Sequence, residues 1–189
     1  MGPRRKLAIL FYLSAVVLPA AVVDRIAVIV DKTVITESEV LHELRLEAFM
    51  NGEPLQAGPD QRRAAAERLV DQQLIRKEMV TGGYRQPTDA DVEAVLRTVK
   101  RQQYSTESAY SEALVHYGIS EEELKKYLRW QVQALAFTES RFQTNLPDLQ
   151  STDTQSAHRS ETNLDEQMSA WLKEARSQAR IRFKKGAFQ

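Results

Sequence analysis

The sequence predicts a mainly α, multi-helix domain completed by a small two- or three-stranded sheet, and three observations carry that prediction. Residues 26–36 place two short apolar strands around an Asp31-Lys32 turn. A series of downstream segments repeats apolar residues at helical spacing, most of them behind Ser, Thr or Asp. The chain closes on Ala179-Arg180-Ile181-Arg182-Phe183, which alternates with period two and suits a strand added to the first one.

The first strand has Ile26, Val28 and Val30 on one face and Ala27 and Ile29 on the other, so both faces are expected to be covered. Asp tolerates positive φ better than most residues, so Asp31-Lys32 forms a two-residue turn into Thr33-Val34-Ile35. Thr36 with Glu39 makes a capping box, and Val40, Leu41, Leu44 and Ala48 follow at helical spacing. After a loop containing Asn51-Gly52-Glu53-Pro54 and Gly58-Pro59, Asp60 caps a second helix running to Val80 and closed by Gly82-Gly83. Thr88 and Asp91 open a third, with Val92, Val95, Leu96 and Val99 as its stripe. Ser105 opens a fourth, ending at Gly118, and Ser120 with Glu123 boxes the start of a fifth over 121–142.

That fifth helix carries two apolar faces. Leu124, Leu128, Val132, Leu135 and Phe142 form one; Tyr127, Trp130, Ala134 and Phe137 form the other. At ~150–250 Å² per ring, the three aromatics of the second face present on the order of 500 Å², as much as the largest exposed patch on an ordinary monomer. Something should cover them, either a last helix from residue 164 bearing Leu164, Met168, Trp171, Leu172 and Ala175, or a client polypeptide. Residues 144–163 read as a polar, flexible linker long enough for that helix to fold back.

At the other end, Arg4-Arg5-Lys6, the apolar run from Leu7 and the small residues at Pro19-Ala20-Ala21 have the layout of a secretory signal over residues 1–21, with an uncleaved membrane anchor as the alternative. Lys and Arg number 26 against 26 Asp and Glu, and loss of the signal leaves the mature chain at about −3. No basic patch points to nucleic acid. With no Cys, no disulfide can form, and stability must come from the core.

The run Val28-Ile29-Val30-Asp31 with Val34-Ile35-Thr36 and Ser38-Glu39 resembles the opening of the SurA-type periplasmic chaperones, although Asp31 stands where that family usually has Asn, a change confined to turn geometry. The resemblance continues through Leu69-Val70-Asp71-Gln72-Gln73-Leu74-Ile75, Thr88-Asp89-Ala90-Asp91-Val92 and Tyr117-Gly118-Ile119-Ser120-Glu121-Glu122-Glu123-Leu124, covering about 24 to 142 and resuming near 164. It implies a SurA/trigger-factor-like peptide-binding domain that needs no cofactor, is located in the periplasm and holds unfolded or outer-membrane polypeptide clients. It also implies that the C-terminal segment returns to complete the N-terminal domain. Many family members carry parvulin-type prolyl isomerase modules at the linker position; this linker is too short for one, so no isomerase activity is expected.

Phe49, Met50, Tyr127, Trp130 and Phe137 are the candidate peptide-binding residues, because adaptable Met and aromatic side chains accept varied apolar segments. Core packing is the competing role for each. The histidines, His42, His116 and His158, are far apart and lie in no catalytic motif. Glu39, His42 and Glu43 share a helix face that could bind a metal weakly, but a solvated face explains them as well, and neither an enzyme nor a metal site is expected. The rival to a chaperone is a structural or assembly subunit, either an envelope complex component or a homo-oligomer in which the second face of the fifth helix meets a neighbour's last helix.

Overall fold

The structure, a computed structural model, describes residues 24–84, 86–142 and 154–188, with side chains from 163 onward in the last stretch. The predicted signal and residues 144–153 of the predicted linker lie outside them. Among the described residues six helices surround a three-stranded antiparallel sheet. The strands are β1 (Ile26–Val30), β2 (Thr33–Thr36) and β3 (Ile181–Phe183). The helices are α1 (Glu37–Asn51), α2 (Pro59–Gly82), α3 (Asp89–Gln103), α4 (Glu107–Tyr117), α5 (Glu121–Phe142) and α6 (Thr154–Gln178).

The sheet order is β2-β1-β3. Val30 pairs with Thr33 across the two-residue turn, and Asp31 adopts φ 53° there, as expected of a short polar residue in the left-handed region. On the other side Val28 pairs with Phe183 and Val30 with Ile181, so the C-terminal strand joins the first strand as predicted. Ile26 departs from expectation. The register with β2 shifts between Ile26 and Val28, and this irregularity buries Ala27 and Val28 together while leaving Ile26 exposed.

The starts of α1, α3 and α5 follow the sequence signals. Thr36 Oγ1 accepts the Glu39 N–H at 3.3 Å while Glu39 Oε2 accepts the Thr36 N–H at 2.7 Å. The same reciprocal pair forms at Thr88/Asp91 and at Ser120/Glu123. Two starts differ. Gly58, not Asp60, precedes α2, because Pro59 at the first helical position needs no N–H partner and Asp60 contributes its charge from within the first turn. Thr106, not Ser105, caps α4, its hydroxyl accepting the Ala109 N–H at 3.1 Å.

Three apolar clusters hold these elements together. The first joins the sheet to α1 and α2 through Val28, Ile35, Val40, Val70 and Leu74. The second gathers the far half of α1, α3, α4 and the start of α5 around Phe49, Leu96, Tyr110 and Leu124. The third places Ile75 and Met79 of α2 against Trp130 and Phe137 of α5, with Met168, Trp171 and Leu172 of α6 packed on them.

α6 begins ten residues earlier than predicted. Residues 154–163, read from sequence as linker, are helical, because the segment has neither Gly nor Pro to stop a helix once the packed part has formed. On α5, Leu135 is 61% exposed instead of sharing the first face. The reason is length. α3 runs antiparallel to α5 with Arg129 level with Asp89 (2.6 Å), so by Leu135 that face has passed the end of its partner.

Candidate functional site

A trough of about 640 Å³ lies beside the C-terminal half of α2. That volume is within the ~300–1,000 Å³ range of ligand-binding clefts. One wall is the β1–β2 turn, the other is the exposed flank of α2, and Arg180 stands where the chain enters β3. Val30 and Leu74 form an apolar floor continuous with the first core cluster. Val80, 86% exposed, extends the apolar surface toward solvent.

The turn is fixed in place by its own carboxylate. Asp31 Oδ1 accepts the Arg180 N–H at 2.9 Å, and Asp31 Oδ2 accepts from Lys77 Nζ at 2.8 Å. The Lys77 hydrogen bond, aided by the Arg180 N–H, holds the Asp31 carboxyl below its ordinary range. Three further cations, Lys32, Arg76 and Arg180, line the recess. Among the described residues, none of the three makes an ion pair within 4.0 Å; the Arg76 guanidinium lies 4.7 Å from the centroid of the Trp130 ring. A second depression of about 370 Å³ continues along α2 to Trp171 of α6 and shares Leu74 and Lys77 with the first. An extended chain could therefore follow α2 from the hairpin turn toward α6.

The five sequence-predicted binding residues are elsewhere. Phe49 is fully buried in the second cluster, where its ring meets Tyr104, Tyr110 and Tyr117 at 5.7, 6.2 and 5.8 Å between centroids. Met50 and Tyr127 pack, half-buried, against the same cluster. Trp130 and Phe137 belong to the third, and Phe137 is fully buried, its ring 5.4 Å from that of Trp171. In place of one groove, the structure distributes these residues over two cores, because α6 of the same chain covers the second face of α5.

α6 is held there by charge as well as by apolar contact. Arg176 reaches Asp71 Oδ1 at 2.6 Å and Glu67 Oε2 at 2.7 Å, and also donates to the Glu67 carbonyl at 3.1 Å. The sequence did not single out the residues that line the trough. Val80 carried no signal of its own, since Leu74 and Ile75, likewise adjacent on α2, are both buried while Met79 is buried and Val80 exposed.

The three residues considered for a metal engage separate partners. Glu39 closes the capping box, His42 Nδ1 lies 4.0 Å from Glu123, and Glu43 accepts from Gln72 at 3.0 Å. Among the described residues no group of His, Asp and Glu is arranged to hold a metal. No described helix is long and apolar enough to cross a membrane.

Glu43 is the one buried charged residue among those described, at 8% exposure. Burial raises its carboxyl above the ordinary glutamate range, against the pull of Arg68 and the Gln72 hydrogen bond; Glu47 pushes the same way as burial, and Arg76 and the Tyr127 ring also face it. The folded protein therefore holds this proton more tightly than the unfolded chain, and ionising the group costs stability as pH rises through and above the ordinary range. Glu43→Gln keeps a partner for Gln72 and removes that cost. Its thermal midpoint should exceed the parent's at about pH 7, and the gain should disappear near pH 4, where Glu43 is largely protonated folded or unfolded. A midpoint difference that does not change with pH would contradict this reading.

No protein-family model and no curated protein matches the chain.

Proposed function

We propose that this is an exported, non-catalytic, chaperone-like protein that holds unfolded polypeptide segments in the trough along α2. One observation supports this reading above the others: an open recess that joins a continuous apolar floor to the nearly fully exposed Val80, with cations along its rim. A seat of this kind suits extended chain, since a second depression continues from it along α2 to Trp171 of α6. Export rests on the charged and apolar layout of residues 4–21, and the client class on the resemblance of residues 24–142 to periplasmic chaperones.

The test is binding of labelled, aromatic-rich unfolded peptides, followed by fluorescence anisotropy, with a charge-matched polar peptide as control. Saturable micromolar binding to the apolar set is expected. Val80→Asp should weaken it roughly tenfold, the loss expected from one buried aliphatic contact. Because Val80 is exposed, the substitution should leave stability within about 0.5 kcal/mol of the parent. Unchanged affinity in this variant would remove the trough from consideration. Absence of binding altogether would favour the assembly-subunit reading, which light scattering across a range of protein concentrations would then examine.

A further inference from the structure

We propose that the trough selects acidic-apolar segments, in which an Asp or Glu neighbours an aliphatic or aromatic residue. This inference rests on the polypeptide-binding reading above and adds the class of segment that is held. The cations of the trough are unequally engaged. Lys77 is committed to Asp31 at 2.8 Å, and the other Asp31 oxygen takes the Arg180 backbone N–H at 2.9 Å, which leaves the Arg180 guanidinium outside that contact. Lys32 projects from the turn itself and is exposed. Among the described residues, neither Lys32 nor Arg180 makes an ion pair within 4.0 Å. Arg76, also exposed, rests over the Trp130 ring at 4.7 Å.

Overall the charges balance, 26 basic residues against 26 acidic ones. Within the trough, Lys32 and Arg180 stand beside the apolar floor of Val30 and Leu74, while Arg76 also faces Glu43 and Glu39. A carboxylate entering it would meet two or three cations within one recess, while the neighbouring apolar side chain settled on Val30, Leu74 and Val80. An anionic membrane surface would use the same charges, but the cations stand around a recess and not on a flat face, which favours an extended chain.

Three short unfolded peptides decide the matter. They share one apolar sequence and differ at two positions, which are Glu, Gln or Lys, and they are titrated into the purified protein at low salt and at about 1 M salt, where the Debye length falls to about 3 Å. The Glu peptide should bind about fivefold tighter than the Gln peptide, the size expected of one or two exposed charge contacts, and the preference should vanish at high salt. The double variant Lys32→Glu/Arg180→Glu should abolish or invert that preference, so that the Glu peptide binds no tighter than the Gln peptide. The variant should keep a cooperative thermal transition, since the Arg180 backbone N–H to Asp31 is retained, with its midpoint lowered modestly by the lost attraction between the Arg180 charge and Asp31.

Equal binding of all three peptides would overturn the charge selectivity and leave polypeptide holding intact. Binding of none would overturn both. Vesicles of anionic phospholipid bound in a Lys32- and Arg180-dependent way, with no preference among the peptides, would overturn the proposal in favour of a membrane surface.

Discussion

Replacing Phe137 with alanine is expected to destabilise the protein by about 3–5 kcal/mol, a shift readily seen in the midpoint of urea unfolding. The ring is fully buried and meets Tyr84 at 5.0 Å, Trp171 at 5.4 Å and Phe142 at 6.4 Å between centroids. Three elements therefore lose contacts at once, and the cavity lies where α6 rests on α5, so it cannot be filled by one side chain's movement. The experiment also separates two accounts of α5. If its aromatic face were a client seat, Phe137→Ala would lower peptide affinity and leave the urea midpoint almost unchanged. As a core residue it should do the reverse, with peptide affinity of the folded fraction retained. Val80→Asp is the complementary variant, since it should change affinity and not stability.

A second large effect is expected from ending the chain at residue 153. This truncation removes α6 and β3 together and uncovers Trp130, Phe137, Ile75 and Met79, while the β1 edge loses its partners at residues 28–30. Exposed rings and an open strand edge together favour association over a single folded monomer. The truncated protein should lose its cooperative thermal transition, bind a hydrophobic dye and scatter light at concentrations where the full chain is clear. A truncated chain that still melted cooperatively within a few degrees of the parent would mean that α6 is an accessory and the third cluster is held by α2 and α5 alone. The Arg176 contacts to Asp71 and Glu67 belong to the same docking. They add direction to it, because the planar guanidinium reaches two carboxylates only at one setting of α6 along α2.

The elements legible in the sequence were those whose signals are local. Capping boxes at Thr36, Thr88 and Ser120 depend on residues three apart, and the turn at Asp31 depends on one residue's tolerance of positive φ, so each could be read without knowing the fold. The return of β3 to β1 was also readable, from period-two alternation at the C-terminus joined to a resemblance. What could not be read was partner length. Leu135 repeats on the α5 face of Leu124 and Leu128, yet nothing in that repeat says that α3 ends its cover near Arg129.

The trough failed to appear in the sequence for a related reason. Large aromatics mark where apolar area is, and here Phe49, Trp130 and Phe137 are large because they fill cores. The trough draws on residues from the β1–β2 turn, from α2 between Gln73 and Val80, and on Arg180, and the β3–β1 pairing brings Arg180 to that turn. A polar stretch such as 154–163 is similarly misread when helical spacing is sought only through apolar residues.

The position of β1 between a neighbour that follows it at once and another that begins 148 residues after the first, at Ile181 against Thr33, has a temporal meaning. The hairpin forms as soon as its dozen residues are available, since loop closure across two residues is fast, but the sheet stays open on one side until the last few residues can reach it. A chain threaded N-terminus first across a membrane would therefore reach the far side with its first-made strand waiting, and the trough, which needs Arg180, would come into being last. The trough would then be finished only once residues 180–183 have been made and paired, and a molecule stalled before them would carry the apolar floor without the finished rim.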